Sequence, residues 1–325
     1  MRSIIGIAAA ASSVLLLCCC FTAPLGAREY KCVEPTLSLR LYPEGQDVDK
    51  GIVENGTSVT LGPGVSNGLT GEPEVKENGN TSNVGNDARI DVYVPRKCNG
   101  QMIVVCPGGG YRLLSMYNEG SRVADWCVKH GIACCVVMYR LPNSHDTVPL
   151  RDVQNAFRYC RAHCQEWGVK QIGVMGFSAG GHLAATASNL WTDEVTRPDF
   201  SVLIYPVISF RLPTHEGTRK HLTGGKERYW DYYSMEKQVS THTPKTLLCV
   251  SADDKTVPVI NSVAYYQRLL ECRVPSELHV YTDGGHGWGF TTVENTGSDR
   301  LGERQRGEFF ATLERWLEDR RNEIN

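Results

Sequence analysis

The 325-residue sequence has almost no charge of one sign to spare, since 34 Lys and Arg stand against 36 Asp and Glu. A net charge of −2 offers no basic excess to hold nucleic-acid phosphates and no acidic tail, so no nucleic-acid partner is expected. Beyond residue 21 no apolar run is long enough to cross a bilayer, so no stable membrane insertion of the mature protein is expected. Internal repeats and low-complexity tracts are missing. The 13 cysteines include no C-x2-C pair, and Cys160 and Cys164 lack the spacing of a zinc ribbon, so no metal site is expected.

What is present is ordinary for a globular protein, with 41% hydrophobic and 22% charged residues. The length suits one large α/β domain or two small ones. The first residues differ from the rest. Arg2 precedes an apolar run from Ile4 to Phe21 and then Ala23-Pro-Leu-Gly-Ala27. This is the pattern of a secretory signal peptide, residues 1–27, although Leu25 stands where a small residue is preferred. Cys18, Cys19 and Cys20 raise a lipoprotein alternative, which the preceding leucines disfavour, and an uncleaved anchor is the other alternative. The expectation is export, with a soluble mature protein that is secreted or periplasmic. Of the remaining cysteines, Cys106, Cys134, Cys135 and Cys249 lie in apolar runs where cysteine serves as a small buried hydrophobe. Cys32 and Cys98 flank the N-terminal region, and their pairing in an oxidising compartment is left open.

Residues 28–88 are rich in Gly, Asn, Pro and charge and predict a loop-rich lead-in with one short strand near Leu37–Leu41. Asn55 and Asn80 begin glycosylation sequons, which matter only in a eukaryotic host. From Arg89 the pattern changes. Arg89–Val94 alternates like a half-solvated strand. Met102–Cys106, Ile132–Tyr139, Ile172–Phe177, Phe200–Val207, Leu247–Val250 and Leu278–Tyr281 read as strands, most of them continuous apolar runs of the buried parallel kind. Helical spacing lies between them, over Val123–His130, Arg151–Trp167, Leu183–Ala187 and Val259–Leu270, with a last helix from about Arg304 to Trp316. This alternation predicts one α/β domain, residues 89–325, with a mostly parallel sheet covered by helices on both faces. Residues 208–243 interrupt the alternation with Tyr, Trp, Lys and His and read as a small cap insertion.

The chain is organised around Gly176-Phe-Ser178-Ala-Gly180, set between a strand and a helix start. This is the nucleophile-elbow pattern, in which glycines two residues either side of the serine admit a sharp, strained turn. A serine hydroxyl needs a base, an orienter for that base, and donors for an oxyanion. The chain supplies an acid and a base in that order, each after a strand: Asp253 and Asp254 after Leu247–Val250, and His286 among glycines after Leu278–Tyr281. Asp254 is favoured because it begins the Asp-x-x-Val-Pro turn, with Asp253 bracing it, and His182 on the elbow helix is expected to pack or cap locally. Oxyanion donors are expected from the Ala179 amide and from Gly109 and Gly110 in Pro107-Gly-Gly-Gly-Tyr111. That loop carries neither Gly-Lys-Ser/Thr nor G-x-G-x-x-G, which excludes phosphate and dinucleotide loops. Tyr111 and Trp288 flank the site in sequence and have either a pocket-lining or a packing role.

These elements resemble a known family. Cys-Pro-Gly-Gly-Gly-Tyr111, Asn118-Glu-Gly-x-x-Val-Ala-x-Trp126, Tyr139-Arg-Leu-Pro142 and Gly-Phe-Ser-Ala-Gly-Gly-His182 are similar to motifs of α/β-hydrolase carbohydrate esterases of the acetylxylan-esterase-like or feruloyl-esterase-like group. So are Arg197-Pro-Asp-Phe200, Tyr205-Pro-Val207, Ala252-Asp-Asp-Lys-Thr-Val-Pro258 and Gly284-Gly-His-Gly287, and the likeness covers residue 89 to the C-terminus. The resemblance implies an α/β-hydrolase fold, a Ser178–His286–Asp254 triad and a Gly108–Gly110 oxyanion loop. It also implies hydrolysis of acyl esters, acetyl above all, on plant polysaccharides or oligosaccharides, without cofactor. A feruloyl esterase and a serine peptidase of the same fold are the alternatives, with a non-catalytic binding protein a third. About sixty residues ahead of the first strand cannot build the propeller that such peptidases carry.

Overall fold

A computed structural model describes residues 32–42, 53–54, 57–58, 74–85, 88–292 and 299–324. The expected signal peptide and the Asn55 sequon lie outside the described residues. The centre is an eight-stranded sheet: β1 (Leu37–Arg40), β2 (Arg89–Tyr93), β3 (Gln101–Cys106), β4 (Ala133–Met138), β5 (Gln171–Phe177), β6 (Phe200–Ile204), β7 (Lys245–Ser251) and β8 (Ser276–Tyr281). Their spatial order is 1-2-4-3-5-6-7-8. β1 and β2 run antiparallel to their neighbours and all other pairs are parallel.

The sequence explains the layering. Every residue of β3, β4, β5 and β6 is buried, as strands covered on both faces must be. One face packs under α2 (Val148–Ala162) and α3 (Ser178–Asn189), in a core that includes Val104, Phe157 and Leu183. The other packs under α1 (Arg122–Lys129) and the last helix, where Ile103, Val105, Phe309 and Trp316 meet. In chain order α4 (Glu216–Thr223) and α5 (Ile260–Glu271) follow α3, with Leu222, Tyr265 and Leu269 in the first of these cores, and the last described helix is α6 (Glu303–Asn322).

Two helices differ from expectation. The expected helix over 151–167 starts earlier, with Pro149 in its first turn where a missing N–H costs nothing, and breaks at His163 before a short turn of helix, Cys164–Trp167. The last helix runs six residues past Trp316, with Leu317 still buried and the polar residues beyond it carrying pairs such as Arg321–Glu318. The lead-in holds more than one strand. Val75–Glu77 and Asn80–Ser82 form a hairpin that pairs through Thr81 and Ser82 with Leu113–Leu114. β1 is staggered, with Leu37 and Leu39 half-buried and Ser38 and Arg40 exposed.

Arg140, just after β4, is fully buried and forked onto Asp152 of α2 through Nε and Nη2, at 2.8 Å for the shortest contact. Tyr42 donates to the same carboxylate at 2.7 Å, which ties the lead-in to the domain. The described cysteines are all free thiols. Cys98 donates to the Gln101 carbonyl and Cys32 bonds Ser121, so the pairing left open between them is not formed. Among the described residues no helix is long and apolar enough to cross a membrane.

Candidate active site

β5 passes into α3 with no intervening residue, and the turn forces Ser178 to φ +52°, a left-handed conformation that side chains other than glycine rarely adopt. The flanking glycines make that turn possible. A Cβ on Gly176 would lie 2.2 Å from the Gly180 carbonyl oxygen, and one on Gly180 would lie 2.1 Å from the Cys106 carbonyl oxygen. The helix start therefore closes directly against the end of β3. Ser178 ends up at the N-terminus of α3, where amides lack intrahelical partners and the helix dipole favours negative charge.

The loops after β7 and β8 bring the acid and the base to the same point. His286 Nε2 lies 2.8 Å from Ser178 Oγ, and Nδ1 lies 2.6 Å from Asp254 Oδ2. The other Asp254 oxygen accepts the Thr256 and Val257 amides, each at 2.9 Å, so the buried carboxylate is held in place. A carboxylate can only accept, so Nδ1 carries the proton and Nε2 presents its lone pair to the serine hydroxyl. Asp253 is exposed and accepts the Gly285 amide at 2.8 Å, bracing the histidine loop instead.

The loop Pro107–Tyr111 runs beside the serine, since a Cβ on Gly108 would lie 3.0 Å from Ser178 Cβ. Gly109 adopts φ +132° and leaves no room for a side chain, because a Cβ there would meet the Leu113 carbonyl oxygen at 2.0 Å. Tyr139 donates to the Pro107 carbonyl at 2.6 Å, and His221 of the 208–243 insertion donates from Nδ1 to the Gly110 carbonyl at 2.8 Å. The Gly108 amide is taken up by Glu119 at 2.7 Å. The amides of Gly109 and Gly110 are therefore the loop's remaining candidates for an oxyanion, with Ala179 opposite on the first turn of α3.

Of the two roles open to Tyr111 and Trp288, substrate-pocket lining does not hold, because both are buried, and both pack. Tyr111, at φ +57°, is buried against Tyr139 and bonds His182 Nδ1 at 3.0 Å. Trp288 is fully buried and donates to Ser251 Oγ at 3.1 Å, within a cluster with Tyr205, Tyr281 and Phe309. His182 packs as expected, stacked on Phe210 with Nε2 donating to the Tyr233 carbonyl at 2.8 Å. Burial lowers its pKa to about 4. Three neighbours of the site were not singled out from sequence. Glu119 and Tyr205 stand out in the sequence only as members of the longer motifs around Asn118 and Pro206. His215, the N-cap of α4, lies over Gly110, with its pKa lowered by burial and then by the charge of His286. Among the described residues no three His, Cys, Asp or Glu side chains gather as metal ligands would.

Comparison with known proteins agrees with this architecture. The chain is 39% identical over 224 residues to an acetylxylan esterase of Xylanibacter ruminicola, covering 65% of this chain and 46% of that one. It is 30% identical over 212 residues to endo-1,4-beta-xylanase B of Butyrivibrio fibrisolvens, covering 60% of this chain and 33% of that one. The chain thus matches less than half the length of either relative. Among solved structures, an acetyl ester-xyloside bifunctional hydrolase of Caldicellulosiruptor lactoaceticus superposes with a TM-score of 0.67 at 28% identity, over 88% of this chain and 97% of that one. A family model described as the alpha/beta hydrolase fold matches residues 103–290, a span that includes Ser178, Asp254 and His286, and the chain belongs to that family.

Proposed function

We propose that this chain is a serine carboxylic-ester hydrolase that removes acyl groups, acetyl above all, from plant polysaccharides or their oligosaccharides. The observation that carries this reading is the unbroken line Asp254–His286–Ser178 at 2.6 and 2.8 Å on an elbow serine. The acetylxylan esterase relative supports the acyl group and the glycan.

In this mechanism His286 Nε2 takes the Ser178 proton as Oγ attacks the ester carbonyl, and Asp254 stabilises the imidazolium that forms. The developing oxyanion is held by the Ala179 amide together with Gly109 or Gly110. His286 then protonates the departing sugar oxygen. Water, deprotonated by the same imidazole, releases the acid from the acyl-enzyme, so no metal or organic cofactor enters the cycle. We also propose that the chain is exported after loss of residues 1–27. Burial pushes the Cys249 thiol up to about 12, and that of Cys106 well above its ordinary value, which keeps these thiols protonated and unreactive outside the cell.

Initial rates on 4-nitrophenyl acetate, methyl ferulate and acetylated xylan, for wild type and Ser178→Ala, test the proposal. The expected result is acetate release from xylan that falls by about three or more orders of magnitude in the variant. Faster turnover of methyl ferulate would move the acyl group to feruloyl. Hydrolysis of peptides with none of these esters would replace the reading with a peptidase.

A further inference from the structure

We propose that Glu119 is a positioning residue that holds the oxyanion loop and the histidine loop in one fixed relation. The inference rests on the serine-hydrolase reading above and concerns the Asn118-Glu-Gly120 motif, to which that reading gives no role. Glu119 lies in the turn of π-helix Tyr117–Ser121 that leads into α1, and it is buried. Its two oxygens point to two different loops. Oε2 accepts the Gly108 amide at 2.7 Å, and Oε1 accepts the Tyr205 hydroxyl at 2.8 Å.

Each contact leads to a reacting group. Gly108 adjoins Gly109 and passes Ser178, so fixing its amide fixes the next two amides relative to the serine. Tyr205, held at φ +37° just after β6, sets its ring edge-on to His286 with centroids 4.9 Å apart. Its oxygen also accepts the Gly289 amide at 2.8 Å, three residues beyond His286. The neighbouring Asn118 carbonyl accepts the Phe290 amide at 3.2 Å. Gly289 allows this approach, since a Cβ there would lie 3.0 Å from the Asn118 carbonyl oxygen at φ +42°. One carboxylate therefore spans both halves of the site. Burying it is costly. Burial raises its pKa, opposed by the Tyr205 and Gly108 bonds and by the charge of His286.

The test compares Glu119→Ala, Glu119→Gln and Tyr205→Phe with wild type and Ser178→Ala. The readouts are kcat and KM on 4-nitrophenyl acetate per titrated active site, Ki for a boronic acid that forms a tetrahedral serine adduct, and Tm. A positioning role predicts a kcat about 100-fold lower in Glu119→Ala, KM within about threefold, and boronate affinity lost in step with kcat, because only the tetrahedral adduct uses the oxyanion donors. Glu119→Gln retains an acceptor for Gly108 and recovers part of the loss, and Tyr205→Phe loses about tenfold. Should the alanine variant not fold, the glutamine and phenylalanine variants carry the test. Variants with lowered Tm but unchanged kcat and Ki per active site would overturn the proposal and leave the hydrolase intact. A wild type whose activity survives Ser178→Ala would overturn the hydrolase reading and this one with it.

Discussion

Asp253 and Asp254 are adjacent in sequence and differ in almost everything else. Asp254 is buried, takes two amides on one oxygen and gives the other to His286, whereas Asp253 is exposed and holds only the Gly285 amide. An asparagine at 254 can offer its NH2 to Nδ1, which moves the imidazole proton to Nε2 and leaves the serine without a base. Asp254→Asn should therefore lower kcat by about 10⁴-fold with little change in Tm, and Asp253→Asn by less than about tenfold. Steady-state rates on 4-nitrophenyl acetate check this, and the reverse ranking would assign the acid to Asp253. Residues of this kind were legible because chain order and strand ends fix where an acid and a base must stand. Tyr111 and Trp288 were not, because nearness in sequence says nothing about which way a side chain points. The left-handed backbone at Tyr111 turns its ring toward Tyr139, and Ser251 holds the Trp288 indole inside the core.

At the scale of elements, the strands from β3 to β7 were readable because burial on both faces demands continuous apolar runs such as Val174 to Phe177, and β2 by its alternation of half-buried and buried residues. The elbow was readable for a related reason, since Gly176 and Gly180 occupy places where a Cβ would strike backbone. The hairpin of residues 75–82 was not. Its strands are three residues each, polar, and stabilised by a partner at Leu113–Leu114 some thirty residues on, so no local period announces them. The insertion at 208–243 was visible only as a break in alternation. Its internal order comes from contacts that composition cannot reveal: Asn261 of α5 accepts the Ile208 and Ser209 amides, and the Arg219 guanidinium lies 3.9 Å over the Trp230 ring. The same segment carries His215 and His221 to the glycine loop beside Ser178 and lays Phe210 on His182 of the elbow helix.

For the whole molecule, the buried histidine under that insertion links stability to pH. His182 titrates near 4 in the folded chain because burial penalises its charged form, and near 6.5 when unfolded. Above pH 6.5 it is neutral in both states and contributes no pH dependence. Between 6.5 and 4 the unfolded chain binds a proton that the folded chain refuses, so stability falls as the pH falls, by roughly 2 kcal/mol at pH 4.5. Urea unfolding at pH 7 and pH 4.5 should show this loss in wild type and a smaller one in His182→Gln, whose amide can still serve Tyr111 and Tyr233. Equal losses in the two proteins would mean that His182 protonates without unfolding the core. Active-site labelling tests directly whether the fold presents one activated serine. A fluorophosphonate reacts only with a serine whose proton is taken by a neighbouring base, and peptide mapping by mass spectrometry locates the adduct. One label per chain is expected, on Ser178, and it is lost in His286→Ala. A label on another residue, or none on the folded wild-type protein, would contradict this.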